Sequence, residues 1–406
     1  MTDSQVPLLY FDNHATTSVD PRVLESMLPY FTEHFGNAES SQHPFGWKAK
    51  AAVDHARTQV ANLIGAEPSE IVFTSGATES IHLAILGIVG PENAAAKGRH
   101  IITAATEHKA TLEVCARARK LGHTVTILPV DKQGMIDLTQ LKDSIRPETV
   151  LVTLMHANNE IGTIHPIEEI GALLKDTGIY FHVDAAQTIG KHAIDVKQMG
   201  IDLLSLSGHK FYAPKGIGAL FVSRSGKRPH LIPYMVGGGQ ERGLRGGTHN
   251  VPGIVGLGKA SEIAMQELES EQSRLAHMRD HLIARLKSEL PTVELNGHPK
   301  HRLCNNVNVT IRGVGSDQLL LGMHGVAYSS ASACSSGTPS HVLAAIGQEV
   351  DDPKVTTVRF GLGRFTLQVD VDRLADRLVA CIRKGEEVST GYAAGSAPVP
   401  KGSHLG

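Results

Sequence analysis

The sequence predicts an α/β fold in which a large domain around a mostly parallel sheet is followed by a smaller α+β domain. Three observations carry this. Short apolar runs alternate with helix-patterned segments between residues 60 and 225. A long helical pattern rich in Glu, Arg and Ala covers about 255–290 and stops at Pro291, and beyond it strand-like and helical patterns resume. A chain of 406 residues has the length for two such cores.

In chain order the apolar runs are IVFTS (71–75), HIITAA (100–105), TVTILPV (124–130), TVLVTLMH (149–156), IYFHVDA (179–185), DLLSLS (202–207) and GALFVS (218–223). They have strand length and look like strands buried on both faces. Helical spacing at 110–121 and 166–176 separates some of them, and this alternation argues for a largely parallel sheet covered on both sides. The helix at 255–290 is placed to link two domains. Past it come strand-like NNVNVTI (305–311), a Ser/Gly-rich loop at 329–338, strand-like TTVRFGL (356–362) and a helix over about 370–387. The last segment, GYAAGSAPVPKGSHLG (391–406), lacks periodicity and is rich in Gly, Pro and Ser, so a disordered tail is expected.

Composition narrows the class. With 41% hydrophobic and 20% charged residues and a formal net charge of −2, the chain reads as an ordinary soluble globular protein with no polyanionic partner, so neither direct nucleic-acid binding nor a membrane role is expected. Its apolar runs fall far short of the roughly 20 residues that cross a bilayer. The N-terminal MTDSQVPLLYFDNHATT has neither a secretion-signal nor a presequence pattern, which gives a cytoplasmic expectation. Cys115, Cys304, Cys334 and Cys381 are widely spaced without a CxxC pair, and no zinc knuckle, metal site or disulfide framework is expected.

The chemistry gathers at strand ends. In SLSGHKFYAPKGIG (205–218) a hydrophobic strand runs into Ser-Gly-His-Lys, and Lys210 stands just past it. Desolvation there would lower its pKa and make the amine a nucleophile able to form a Schiff base. Taken alone, a solvated turn lysine fits the tetrapeptide as well. In HVDAAQ (182–187) Asp184 closes another strand, at the edge where ligands bind in open α/β sheets. A buried carboxylate needs a partner, and a protonated pyridine nitrogen is a suitable one; capping of the next helix is the other reading. TSGATES (74–80) is a strand-to-helix turn whose free N–H groups make a phosphate seat. A phosphate turn, an acid and a lysine thus follow one another at the ends of strands of one sheet, a constellation suited to pyridoxal 5'-phosphate (PLP).

The set YFDNHATT (10–17), FGNAESS (35–41), TSGATES, EHKA (107–110), NNEIG (158–162), VDAAQ (183–187), SGHKFYAPKGIGAL (207–220), GGGQERGLRGGT (237–248) and SACSSG (332–337) resembles the cysteine desulfurases, the nitrogenase-type and iron–sulfur-cluster-type branch of the class V aminotransferase family. The resemblance runs over about residues 8–385. It implies the PLP-dependent transferase fold type I, with a PLP-binding large domain at 14–258 and a small domain made of 1–13 and 259–390 that carries a catalytic cysteine loop.

The resemblance also implies roles. Lys210 matches the Schiff-base lysine, Asp184 the partner of the pyridine nitrogen, and His108 the histidine stacked on the cofactor ring, which takes part in proton transfer. Asn159 and Gln187 match residues that hydrogen-bond the ring substituents, and Asn159 also faces substrate. Ala77, Thr78, Ser207 and His209 match phosphate contacts. Thr248, in RGGT, matches a phosphate contact supplied by the other subunit of a homodimer. Arg359, in TTVRFGLGR, matches the arginine that grips the substrate carboxylate, a task suited to a bidentate fork, although the residues alone do not prefer it to Arg364.

Cys334 is the implied sulfur acceptor. It lies among small residues in YSSASACSSGTPSHVL, whereas Cys115 and Cys381 sit in helical patterns and Cys304 among apolar neighbours, as buried cysteines usually do. The implied reaction converts L-cysteine to L-alanine and leaves a persulfide on Cys334, for transfer to an iron–sulfur scaffold or another sulfur-acceptor protein. Two departures stand out. Only SSGT separates Cys334 from Pro339, which makes a loop of short reach, and SSQHPFGW (40–47) lacks the basic residues that the family places in that segment. A selenocysteine lyase shares the fold and most motifs, and an aminotransferase of the same fold would not need Cys334.

Overall fold

A computed structural model describes residues 8–90, 93, 99–330, 339–349 and 352–394, with side chains to residue 384. The strands are β1 (Leu9–Tyr10), β2 (Ile71–Thr74), β3 (His100–Ala104), β4 (Thr124–Leu128), β5 (Thr149–Met155), β6 (Tyr180–Asp184), β7 (Leu203–Ser207), β8 (Gly218–Val222), β9 (Val293–Leu295), β10 (Asn306–Arg312), β11 (Val326–Ala327), β12 (Ser329–Ser330) and β13 (Val355–Gly361). Among the described residues they form a seven-stranded sheet in the order β2-β8-β7-β6-β5-β3-β4, a four-stranded sheet β12-β13-β10-β9 and a pair β1-β11.

Every apolar run from 71 to 223 forms a strand of the large sheet. The β3–β4, β3–β5, β5–β6 and β6–β7 pairs are parallel. Only β8 runs against its neighbours, antiparallel to both β7 and β2. The Gly/Pro-rich KFYAPKGIG stretch is too short for a crossover helix, so the chain turns straight back.

Both faces of the sheet are covered, and the pleat assigns neighbouring residues to opposite sides. Ile101, Leu151 and Leu203 pack with Ile81, Ile85 and Val114 from the helices Ala77–Val89 and Lys109–Lys120. Ile102, Val152 and Leu204, one residue further along, pack with Val53, Val60, Ile170 and Leu257 from the helices Pro44–Leu63, Ile167–Leu174 and Val251–Glu289. Such side chains are nearly inaccessible, and each contributes about 1.5–3 kcal/mol of burial.

The long helix belongs to two cores. Its first half supplies Ile254, Leu257 and Ile263 to the large sheet. Its second half supplies Leu275, Met278, Leu282 and Leu286 to a separate core with Val307, Val309, Val358, Phe360, Leu374 and Leu378. It begins at Val251, four residues before the sequence pattern suggested, because Asn250 caps it through Gly253 N (3.1 Å) and Pro252 sits in the first turn, where its missing N–H costs nothing. The C-terminal helix, Gln368–Ala394, also outruns expectation: residues 391–394 are helical rather than the start of a disordered tail. Extending an existing helix is cheap, and Ala393 and Ala394 favour it. Residues 395–406 lie outside the described residues. The N-terminal β1 pairs with β11, and Asp12 bridges to Gly361, before the chain crosses to the large sheet at His14.

Candidate active site

The parallel strands end on one edge, and that edge carries the polar residues singled out above. Asp184 is the last residue of β6 and Ser207 the last of β7, while β2 leads into the turn Ser75–Gly76 and β3 into Glu107–His108. Together they surround a cavity of about 580 Å³. Ala77, Thr78, His108, Asn159, Asp184, Gln187, Ser207, His209 and Lys210 all line it.

The phosphate-type end is built by the helix Ala77–Val89, whose first N–H groups have no intrahelical acceptors. Gly76 reaches it with φ 152° and ψ −179°, a conformation confined almost entirely to glycine. A side chain there would project toward Ser207 Oγ, 3.5 Å from its Cβ. Glu79 does not crowd the turn with charge: its carboxylate accepts from Ser75 N (2.7 Å) and pairs with Arg245 (2.9 Å). His209, held at 3.1 Å by Thr16 Oγ1, is kept neutral by burial and by Lys210, with a pKa pulled down to about 4.

At the opposite end Asp184 is buried and, among the described residues, has no ion-pair partner. One oxygen accepts from Ala186 N at 2.9 Å, so the helix-capping reading is realised as a local turn, and burial pushes the carboxyl pKa up. His108 caps the helix Lys109–Lys120 through Ala110 N (3.1 Å), which fixes its ring beside the cavity, and burial lowers its pKa while Asp184 opposes this. Lys210 is pulled down to about 8, first by burial and then by Lys191. Its ammonium donates to the carbonyl oxygens of His14 (2.6 Å) and Ala15 (2.8 Å). Gln187 is engaged by His14 as well, Oε1 to ring Nδ1 at 2.9 Å and Nε2 to the carbonyl at 3.1 Å.

Within the YFDNHATT motif, His14, Ala15 and Thr16, for which no role was expected, hold Lys210, Gln187 and His209. The run of small and polar residues directly after a strand-like LYF was the available signal.

Arg359 and Arg364 part company. Arg364 is enclosed by Asp20 (2.8 Å) and Glu271 (2.7 Å) and stacks over the Tyr212 ring at 4.3 Å, a structural cluster away from the cavity. Arg359 donates to Asp12 (2.9 Å), Ser329 Oγ (2.7 Å) and the carbonyl of Asn159 (2.8 Å), which puts it next to a cavity-lining residue although it does not line the cavity itself. Thr248 is exposed on this chain and does not line the cavity either. Cys334 lies outside the described residues. Cys115 and Cys304 are buried thiols whose pKa burial pushes up to about 12 and about 11, and Cys381 is raised for the same reason.

The cavity suits PLP on three independent counts: a lysine amine of lowered pKa, an unpaired buried carboxylate, and a helix N-terminus with two hydrogen-bonding side chains.

A family model described as aminotransferase class-V matches residues 9–374. A protein of Anaeromyxobacter dehalogenans (strain 2CP-C) named cysteine desulfurase IscS is 48% identical over 386 residues, 95% of each chain. This chain belongs to the cysteine desulfurases of the class-V aminotransferase family. The solved structure of a NifS-like protein superposes with a TM-score of 0.83 at 35% identity, covering 95% of this chain and all (100%) of that one. A second, SspA in complex with cysteine, gives 0.77 at 40% identity over 88% of this chain and 100% of that one. The enzyme is PLP-dependent, and its fold is the PLP fold type I.

Proposed function

We propose that this cysteine desulfurase assigns the steps of converting L-cysteine to L-alanine to the following residues. The observation that carries the reading is the convergence of Lys210, Asp184, His108 and the Ala77–Thr78 helix start on one cavity. PLP, when bound, supplies an electron sink for charge developing at the substrate Cα. Lys210 would hold the cofactor through Nζ and, when its amine is free, would take the Cα proton, a task favoured by a pKa lowered to about 8. Asp184 keeps a proton on the pyridine nitrogen, and the buried site keeps that charge pair strong. Ala77, Thr78, Ser207 and His209 seat the phosphate, and Gln187 and Asn159 orient the ring.

Arg359 binds the substrate carboxylate beside Asn159. The Cys334 thiolate attacks the substrate sulfur: the new S–S bond forms as the C–S bond breaks, its electrons stay with carbon, and protonation with the help of His108 yields alanine. The reading is supported by burial of the other three thiols, which are held protonated.

We further propose a homodimer in which Thr248 serves the partner's phosphate site. Its exposure here and the nearby exposed Tyr234, Met235 and Val236 support a covered surface. The large domain is taken as 14–258, the small one as 1–13 with 259–390, and the compartment as the cytoplasm; among the described residues no helix is long and apolar enough to cross a membrane. The short SSGT connection favours release of sulfide, or the help of a dedicated activator, over direct delivery to a scaffold protein.

The test is to incubate the purified protein with L-cysteine, with and without a thiol reductant, and to measure alanine and sulfide together. Equimolar products with reductant are expected; a keto acid in place of alanine would make the protein an aminotransferase.

A further inference from the structure

One buried cation touches the cofactor site from behind. Lys191 follows Gln187 by one turn, is 3% exposed, and does not line the cavity. Its ammonium donates to the carbonyl oxygen of Lys210 at 2.8 Å and reaches that of Gln187 at 3.5 Å. These two residues follow the ends of neighbouring strands, β7 and β6, and both line the cavity. Gln187 in turn holds His14, whose carbonyl accepts from Lys210 Nζ at 2.6 Å. Lys191 therefore closes a ring of contacts that contains both ends of Lys210.

The ammonium has no carboxylate partner among the described residues. The carboxylate that acts on it, Glu271, is committed to Arg364 at 2.7 Å. A buried ammonium without a counter-ion is destabilising compared with an apolar side chain of its size. Stability alone does not explain a lysine here.

We propose that Lys191 is a positioning residue of the desulfurase: it pins the main chain at Lys210 and Gln187 and presents a like charge behind the amine that holds the cofactor. The inference rests on the reading of Lys210 as the cofactor lysine. The charged and titratable groups facing Lys191 are Lys210, Arg364, Glu271 and Cys304, with His14 and His209 on the site side and His192, Glu269, Arg279, Lys300 and Arg302 around the cavity on its other side. Burial brings Lys191 itself down to about 8, and Lys191 is the largest charged influence lowering Lys210.

The experiment compares the PLP-loaded wild type with Lys191→Met and Lys191→Arg. The readouts are the pH titration of the visible absorbance, PLP affinity, thermal midpoint, and borohydride reduction with peptide mapping. Removing a like charge favours the protonated form, so Lys191→Met moves the titration midpoint up by about one unit and weakens PLP about tenfold. Lys191→Arg, which keeps the charge, returns the midpoint toward wild type. A merely structural lysine would change the thermal midpoint and leave the titration in place. Folded Lys191→Met with wild-type midpoint and affinity overturns the inference; if that variant does not fold, Lys191→Gln is judged by the same midpoint. Absence of a pyridoxyl label on Lys210 in the wild type would instead overturn the cofactor reading.

Discussion

The Arg359 guanidinium lies 2.9 Å from the Asp12 carboxylate, with Ser329 Oγ at 2.7 Å and the Asn159 carbonyl at 2.8 Å from the same fork. The N-terminal segment, the strand entering the Ser/Gly-rich segment and the cavity wall thus meet on a single cation. Among the described residues its Nε has no hydrogen-bond partner. A substrate carboxylate recognised here takes a share of a pre-aligned fork rather than ordering a free side chain.

Replacing Arg359 with Gln should therefore weaken substrate more than it harms the fold. Loss of one charge-assisted contact is worth about 1.5–3 kcal/mol, or roughly 10- to 100-fold in kcat/KM for L-cysteine, carried mainly by KM. Steady-state kinetics at matched PLP saturation checks this.

Arg364 should behave in the opposite way. Glu271 is buried with Arg364 as its ion-pair partner, whereas Asp20 keeps Arg22 at 2.8 Å, so Arg364→Met strips one buried carboxylate of its partner at a cost of about 3 kcal/mol. Denaturant unfolding should show that loss, while kcat/KM of the surviving folded enzyme stays near wild type.

Much of this was legible in the sequence, for physical reasons that differ by element. The strands of the large sheet are buried on both faces, so their apolar runs stand out, and their order places Asp184 and Lys210 on one edge. The direction of β8 was not readable, because pairing direction depends on the connection rather than on the strand. Arg359 and Arg364 differ by tertiary partners alone: Asp20 and Glu271 are far from both in sequence. His14 was missed as a positioning residue because its carbonyl, which any residue type carries, holds Lys210, and its ring partners Gln187 and Asn306 are distant in sequence. The start of the long helix was misplaced because Pro252 and Gly253 resemble a loop and are a capped first turn.

Stability at low pH should depend on Glu241. This residue is buried at φ 49° and accepts from both Arg57 nitrogens (2.7 and 2.8 Å), His249 (2.6 Å) and Phe73 N (2.9 Å). Burial works to raise its pKa, but Arg57, His249 and Phe73 outweigh it and hold the group at about 2. A folded-state pKa below the unfolded value stabilises above the unfolded pKa, and the contribution is lost as pH falls through about 4 toward 2. The loss is about 3 kcal/mol for this group. Unfolding free energies of wild type and Glu241→Gln, compared at pH 7 and pH 3, should converge at the lower pH.

His108 should matter for rate more than for binding. Its ring is fixed by Ala110 N and kept largely neutral by burial, as proton transfer near pH 7 requires. His108→Asn, which keeps a capping group, is expected to lower kcat by about 10²-fold or more with PLP still bound. Single-turnover absorbance changes after mixing with L-cysteine provide the check.

The most direct test of the desulfurase assignment is mass mapping of the enzyme after one turnover of L-cysteine without reductant. One alanine released per active site and one added sulfur atom on the peptide carrying Cys334 are expected, with Cys115, Cys304 and Cys381 unmodified. Alanine release with no added sulfur on Cys334, or with the sulfur on one of the buried thiols, would contradict it.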